Sequence, residues 1–122
     1  MDALAFEHHL TSPQGRGHRP AHAHEATTGG YACGDEITLR IAVDGDRVLD
    51  AGFDAHGCGT SIAAASVAVS LARDSPVLTA ARIGAHDIAQ ELGGLSPGKL
   101  HAAELAADAL ARALGAAVRA AA

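Results

Sequence analysis

Aromatic residues are nearly missing: no tryptophan, one tyrosine and two phenylalanines make up 2 % of the 122 residues. Apolar residues still reach 48 %, with alanine a large share, so the core must be built from Ile, Val, Leu and Ala. A chain of this length supports one domain, residues 1–122, with a real but modest core. Positive charge is scarce as well. Nine Lys and Arg against fourteen Asp and Glu give a formal net charge of −5, which removes the basic footprint expected of a protein that binds nucleic acid or an anionic membrane. No apolar run approaches the roughly eighteen residues of a membrane span. The opening Met1-Asp2-Ala3-Leu4-Ala5-Phe6-Glu7 lacks the charged and apolar regions of a signal peptide. The expectation is a cytoplasmic protein with neither nucleic acid nor membrane as a partner. Cysteine occurs only twice, as Cys33 and Cys58. In a reducing compartment two such thiols are more often free, metal-bound or reactive than paired.

What is present reads as α+β. Residues 4–10 suit a short helix stopped by Thr11-Ser12-Pro13, and residues 11–30 form a loop-rich, mobile segment carrying His18, His22 and His24. A short extended piece is weakly signalled around Glu25–Tyr31. From Glu36 to Val43, Ile37, Leu39, Ile41 and Val43 alternate with Glu36, Thr38, Arg40 and Ala42, a strand with one buried face. Asp44-Gly45-Asp46 makes a hairpin turn into a second strand, Arg47–His56, where Leu49, Ala51, Phe53 and Ala55 alternate with Val48, Asp50, Gly52 and Asp54. The period then becomes helical: Ile62, Ala65, Ser66, Val69 and Ala72 share a face, Thr60 or Ser61 is the expected N-cap, and Ser75-Pro76 ends the run. Two short helices follow over 76–83 and 84–92. After the Gly93–Gly98 break, Leu100, Ala103, Leu110, Leu114 and Val118 mark a final amphipathic helix from Lys99 to about Arg119. The expected architecture is a small antiparallel sheet of about three strands packed against four to five helices lying on one face.

The chemistry concentrates at Gly57-Cys58-Gly59, where a strand turns into a helix. Backbone N–H groups and the positive end of a helix dipole converge there, a setting that favours a thiolate able to bind metal or attack an electrophile. The hairpin returns this corner to the start of the preceding strand, so Cys33-Gly34-Asp35 and Cys58 share one edge of the sheet. With His101 they make two thiolates, a carboxylate and an imidazole, a donor set suited to Zn²⁺ and usable by a small iron–sulfur cluster. No C-x-x-C spacing accompanies them. The plainer readings are a buried apolar Cys58, a solvent-facing His101 and Asp35 as a turn residue. A Cys-His hydrolase is disfavoured, because no recognisable oxyanion loop accompanies Cys58.

These same residues resemble the iron–sulfur cluster assembly scaffold family, the NifU N-terminal domain and its IscU relatives, over nearly the whole chain. Phe6-Glu7-His8-His9 with Ser12-Pro13-Gln14-Gly15-Arg16-Gly17 is similar, in altered form, to the family's opening helix and "H…NPRN.G" segment. Ala32-Cys33-Gly34-Asp35 resembles its first cysteine motif. Asp50-Ala51-Gly52-Phe53 followed by Gly57-Cys58-Gly59-Thr60-Ser61-Ile62-Ala63 and Ser66 resembles the second, and this is the most specific stretch. Leu95-Ser96-Pro97-Gly98-Lys99-Leu100-His101 resembles its "LPPVK-[IL]-H-C" segment. The resemblance implies a non-enzymatic scaffold holding a transient [2Fe–2S] cluster or Zn²⁺ on Cys33, Asp35, Cys58 and His101, with Lys99 stabilising an anionic cluster or persulfide. It also implies a cysteine desulfurase as partner. The family's third cysteine would follow the histidine, where this chain has Ala102. A cluster bridging two subunits of a homo-oligomer would draw the missing thiolate from a neighbour. Ser96 and Gly98 replace proline and valine in the segment that docks an Hsp70-type chaperone, which leaves that partner open. The alternatives are a sulfur-transfer protein carrying persulfide on Cys58 or Cys33, and a regulatory paralogue that binds assembly partners without assembling clusters.

Overall fold

The computed structural model describes residues 3–30, 34–94 and 96–121. Cys33 and Leu95 therefore lie outside the described residues. The element order is α1 (Ala3–Thr11), β1 (His24–Gly29), β2 (Glu36–Asp44), β3 (Arg47–His56), α2 (Gly59–Ala72), α3 (Val77–Ala80), α4 (Ala85–Glu91) and α5 (Pro97–Ala121). The three strands form one antiparallel sheet in the order β1-β2-β3. The α+β expectation holds, and the weakly signalled extended piece becomes β1 at His24–Gly29.

Alternation works well over the centre of the sheet. Ile37, Leu39 and Ile41 of β2 stand opposite Ala55, Phe53 and Ala51 of β3, all on the buried face. At the hairpin end the alternation fails. Ala42 pairs with Asp50 but Val43 pairs with Val48, so Leu49 is an extra residue in a β-bulge. The bulge reverses the parity of the strand. Val48 is 1 % exposed in the core, whereas Leu49, expected on the same face as Ala51, is 60 % exposed. Asp44 pairs with Arg47 across Gly45 and Asp46, and Gly45 takes φ +62, as a tight hairpin turn requires.

Helices α2 and α5 cover the inner face of the sheet. Their packing corrects two expectations. Helix α2 was expected to bury one face, but Ser61, the run Ala63–Val69 and Ala72 are all buried, so α2 is enclosed by β3, α5 and α1. On α5 the buried stripe is mainly alanine: Ala102, Ala103, Ala106, Ala109, Ala113 and Ala117, joined by Leu110 and Leu114. Val118, expected inside, is 41 % exposed. Small side chains let α5 lie close against β1, β2 and α2, which leaves no room for a larger stripe.

Residues 12–23 form a loop, but a specifically held one. Gly17 N–H donates to the Phe53 carbonyl at 2.8 Å and Phe53 N–H to the Gly15 carbonyl at 3.0 Å, so this strap runs along the free edge of β3. It then crosses the outer sheet face, where buried Arg40 donates to the His18 carbonyl and pairs with Asp54. His18 Nε2 lies 2.5 Å from Asp50 Oδ2.

Candidate metal and sulfur site

The end of β1, the start of β2 and the end of β3 share one edge, because Gly29 pairs with Glu36 and Glu36 with His56. The turn between β1 and β2 is drawn in by backbone bonds: Gly30 N–H donates to the Asp35 carbonyl and Gly34 N–H to the Gly30 carbonyl, both at 3.0 Å. Beside it β3 passes into α2 through Gly57 and Cys58. Gly57 has φ +120, and a Cβ there would lie 2.0 Å from Asp35 Oδ1 and 2.8 Å from the Gly34 carbonyl oxygen. Into that space the Asp35 carboxylate reaches Cys58, whose N–H donates to Oδ1 at 2.8 Å.

Cys58 itself, not Thr60 or Ser61, is the N-cap of α2. Its backbone is extended (φ −77, ψ 163), and its carbonyl accepts the N–H of Ser61 at 3.1 Å. The side chain makes no capping bond. A carboxylate from a distant turn binds the cap residue's own N–H instead, and a negative charge at this helix end is favourable. Thr60 and Ser61 then fall inside the first turn, with Ser61 fully buried and its hydroxyl 3.9 Å from Cys58 Sγ. Cys58 is exposed and not disulfide-bonded, so the reading of it as a buried apolar cysteine is excluded.

His101 belongs to the same end of the molecule. Thr28, next to last in β1, donates its hydroxyl to the Leu105 carbonyl at 2.7 Å. One turn earlier on α5 stands His101, about 6 Å nearer the β1–β2 turn along the helix axis. It is exposed. Ala102, the next residue, is 1 % exposed and points into the core. The structure thus brings Asp35 and Cys58 together and sets His101 at their end of the sheet. Among the described residues no three His, Cys, Asp or Glu side chains converge on one point.

Lys99 has partners of its own. Its ammonium donates to the Leu92 carbonyl at 3.0 Å and stands 4.9 Å from the centre of the Phe6 ring, tying α1 and the end of α4 to the start of α5. Helix α1 is further set on α2 by Leu10, which lies 2.9 Å from where a Gly59 Cβ would stand. His9 Nδ1 is 2.7 Å from the Ser66 hydroxyl, which also accepts Gln14 N–H at 2.7 Å. Burial and then the neighbouring His8 hold the His9 imidazole below its ordinary value of 6.5, with Glu91 opposing them.

A model of the "NifU-like N terminal domain" family matches residues 5–119. The chain belongs to that family. A "Bifunctional protein NifU/MnmA" from Rubrobacter xylanophilus is 40 % identical over 107 residues, covering 86 % of this chain and 22 % of that protein. "Iron-sulfur cluster assembly scaffold protein IscU 1" from Archaeoglobus fulgidus is 40 % identical over 88 residues, 72 % of this chain and 58 % of its own. "Iron-sulfur cluster assembly enzyme IscU" from Drosophila melanogaster is 41 % identical, with 70 % and 56 % covered. The chain thus spans from about a fifth to under three fifths of the length of these curated relatives. Among solved structures, a putative iron–sulfur cluster assembly scaffold protein from Fervidobacterium islandicum superposes with a TM-score of 0.68 at 19 % identity, covering 93 % of this chain and 96 % of that one. A NifU-like N-terminal protein from Brucella abortus gives 0.63 at 18 %. At these identities the likeness establishes the NifU-N fold and nothing more.

Two neighbours of the cysteine in this NifU-N domain have roles that the sequence pattern does not mark. Gly57 is part of the expected corner, yet its missing Cβ is what admits Asp35. Ser61, expected with Thr60 as an alternative N-cap, is instead the buried hydroxyl beside Sγ. The glycine flanking Cys58 was the available signal for the first.

Proposed function

We propose that this NifU-N domain is a scaffold for iron–sulfur cluster assembly, a carrier rather than an enzyme, whose cargo is a transient [2Fe–2S] cluster or Zn²⁺. The observation that carries this reading is the 2.8 Å bond from the Cys58 backbone N–H to Asp35 Oδ1, which ties a carboxylate to the residue bearing an exposed thiol at the start of a helix. Cys33 and Cys58 supply thiolates, His101 an imidazole nitrogen and Asp35 a carboxylate. The donor set fits: soft sulfur and borderline nitrogen suit Zn²⁺ and iron, while a single carboxylate is the weakest member and the easiest to exchange. A carrier needs one such ligand, because it must release what it binds.

The name of the Archaeoglobus relative supports a scaffold role, and that of the Drosophila relative supports iron–sulfur cluster assembly. A cysteine desulfurase is the matching sulfur donor, and the exposure of Cys58 suits transfer from a protein partner. Leaving the Leu92 carbonyl would bring the Lys99 ammonium to bear on an anionic cluster or persulfide. The altered 95–99 segment is the place to look for an Hsp70-type chaperone, and a second copy of the chain could complete a bridging cluster in place of the thiolate absent at Ala102.

The test is anaerobic isolation followed by iron and sulfide, or zinc, with metal analysis and a visible absorption spectrum. Retention of either cargo, lost in Cys33→Ala and Cys58→Ala, is expected. A protein that holds neither iron nor zinc, or whose content is unchanged in both variants, defeats the proposal.

A further inference from the structure

We infer that Gly57 is a positioning residue that acts through Asp35, and that the two work as a single unit setting the hold on Cys58. The inference deepens the scaffold reading and uses its ligand assignment. It starts from a contact between backbone and side chain on different segments. Asp35 leaves the β1–β2 turn and enters the corner before α2, where Cys58 N–H meets Oδ1 at 2.8 Å. The place it occupies exists only because residue 57 has no side chain: a Cβ would fall 2.0 Å from that same oxygen, far inside any tolerable contact. The corner is thus a receptor for a carboxylate, with Gly57 as its floor and Cys58 N–H as its donor.

Two consequences follow from this geometry. The bond clamps Asp35, just before β2, to the N-cap residue of α2, so Gly34-Asp35 and Cys58 are held at a common edge before any cargo arrives. It also orients the carboxylate, as hydrogen bonds behind metal ligands commonly do. A substitution at Gly57 that leaves all four proposed ligands intact should therefore act like the loss of Asp35. An ordinary turn glycine would show no such link to one distant side chain.

The experiment compares Gly57→Ala, Asp35→Ala, Asp35→Asn and the double variant Gly57→Ala/Asp35→Ala, in the full chain. The first readout needs no metal: hydrogen exchange of the Cys58 amide by NMR. A bond from an amide to a charged acceptor protects it by about tenfold or more, so Asp35→Ala and Gly57→Ala should each speed exchange about tenfold. Asp35→Asn, which keeps an acceptor oxygen, should stay within about threefold of the parent. The double variant should exchange no faster than the faster single variant, the mark of coupled residues. The second readout is the rate at which bound Zn²⁺ passes to a chelator, which Gly57→Ala and Asp35→Ala should change in the same direction and by a similar factor.

Parental protection in Gly57→Ala, or additive effects in the double variant, overturns the inference. Should Gly57→Ala fail to fold because of its φ, the Asp35 pair decides: equal exchange in Asp35→Ala and Asp35→Asn overturns it. Failure of the parent and every variant to hold either zinc or iron would sink the scaffold reading while the amide exchange still judges the positioning role.

Discussion

His9 and Ser66 meet at 2.7 Å across the interface of α1 and α2, and the same serine hydroxyl accepts Gln14 N–H at 2.7 Å. Ser66 is fully buried. The pattern is satisfied when Ser66 O–H donates to Nδ1 of a neutral His9 while accepting from Gln14. One hydroxyl therefore fastens the first helix and the start of the strap to the helix that carries Cys58. Ser66→Ala leaves two partners unsatisfied and should cost about 1–3 kcal/mol of unfolding free energy, read from urea denaturation.

The same contact predicts a pH dependence. His9 has its folded value held below 6.5, chiefly by burial, so the unfolded chain takes up a proton first as pH falls. The contribution is complete above about 6.5 and is lost on acidification through the lower folded value. Urea midpoints at pH 7 and pH 5 should differ less in His9→Gln than in the parent. An unchanged difference would remove His9 from the pH response.

At the bulge, two adjacent apolar residues should behave oppositely. Val48 is buried and Leu49 exposed. Val48→Ala should cost about 1–3 kcal/mol through lost burial and a cavity, whereas Leu49→Ser should stay within about 0.5 kcal/mol of the parent. Denaturant titration of both variants decides it, and a large loss in Leu49→Ser would contradict the register.

Lys99 bridges Phe6 and the Leu92 carbonyl. Lys99→Met keeps the stem but loses both contacts, and should cost about 1–2 kcal/mol. Limited chymotrypsin cleavage after Phe6 should be faster in that variant. Unchanged cleavage would mean that α1 is held without the lysine.

Introducing a thiol at position 102 gives a further check. Ala102 is 1 % exposed and faces the core, so in Ala102→Cys the new thiol should react with iodoacetamide at least about tenfold more slowly than Cys58, since access as well as thiolate character sets the rate. Mass mapping of alkylated peptides reads this directly. Comparable rates would show that the start of α5 turns toward the site.

Particular residues explain what could be seen from the sequence. Ile37, Leu39 and Ile41 alternate against Thr38 and Arg40, so β2 announced itself, and its hairpin partner placed Asp35 and Cys58 at one edge. Leu49 misled because Val48 is equally apolar: alternation cannot reveal an extra residue when both neighbours would suit the core. Alanines misled on α5, since their small side chains are as acceptable outside as inside and only the close approach of sheet and helices selects a face. The role of Gly57 was hidden for another reason. It depends on Asp35, 22 residues earlier in the chain, arriving at the same point in space, and no local pattern records that meeting.

The two-residue turn at Gly45 and Asp46 stands at the opposite end of β2 from Asp35, roughly 30 Å away for a nine-residue strand. The molecule therefore has a natural handle. A fluorophore, an affinity tag or a tether to a sensor surface placed at that tip would leave the face around Cys58 turned outward and unobstructed.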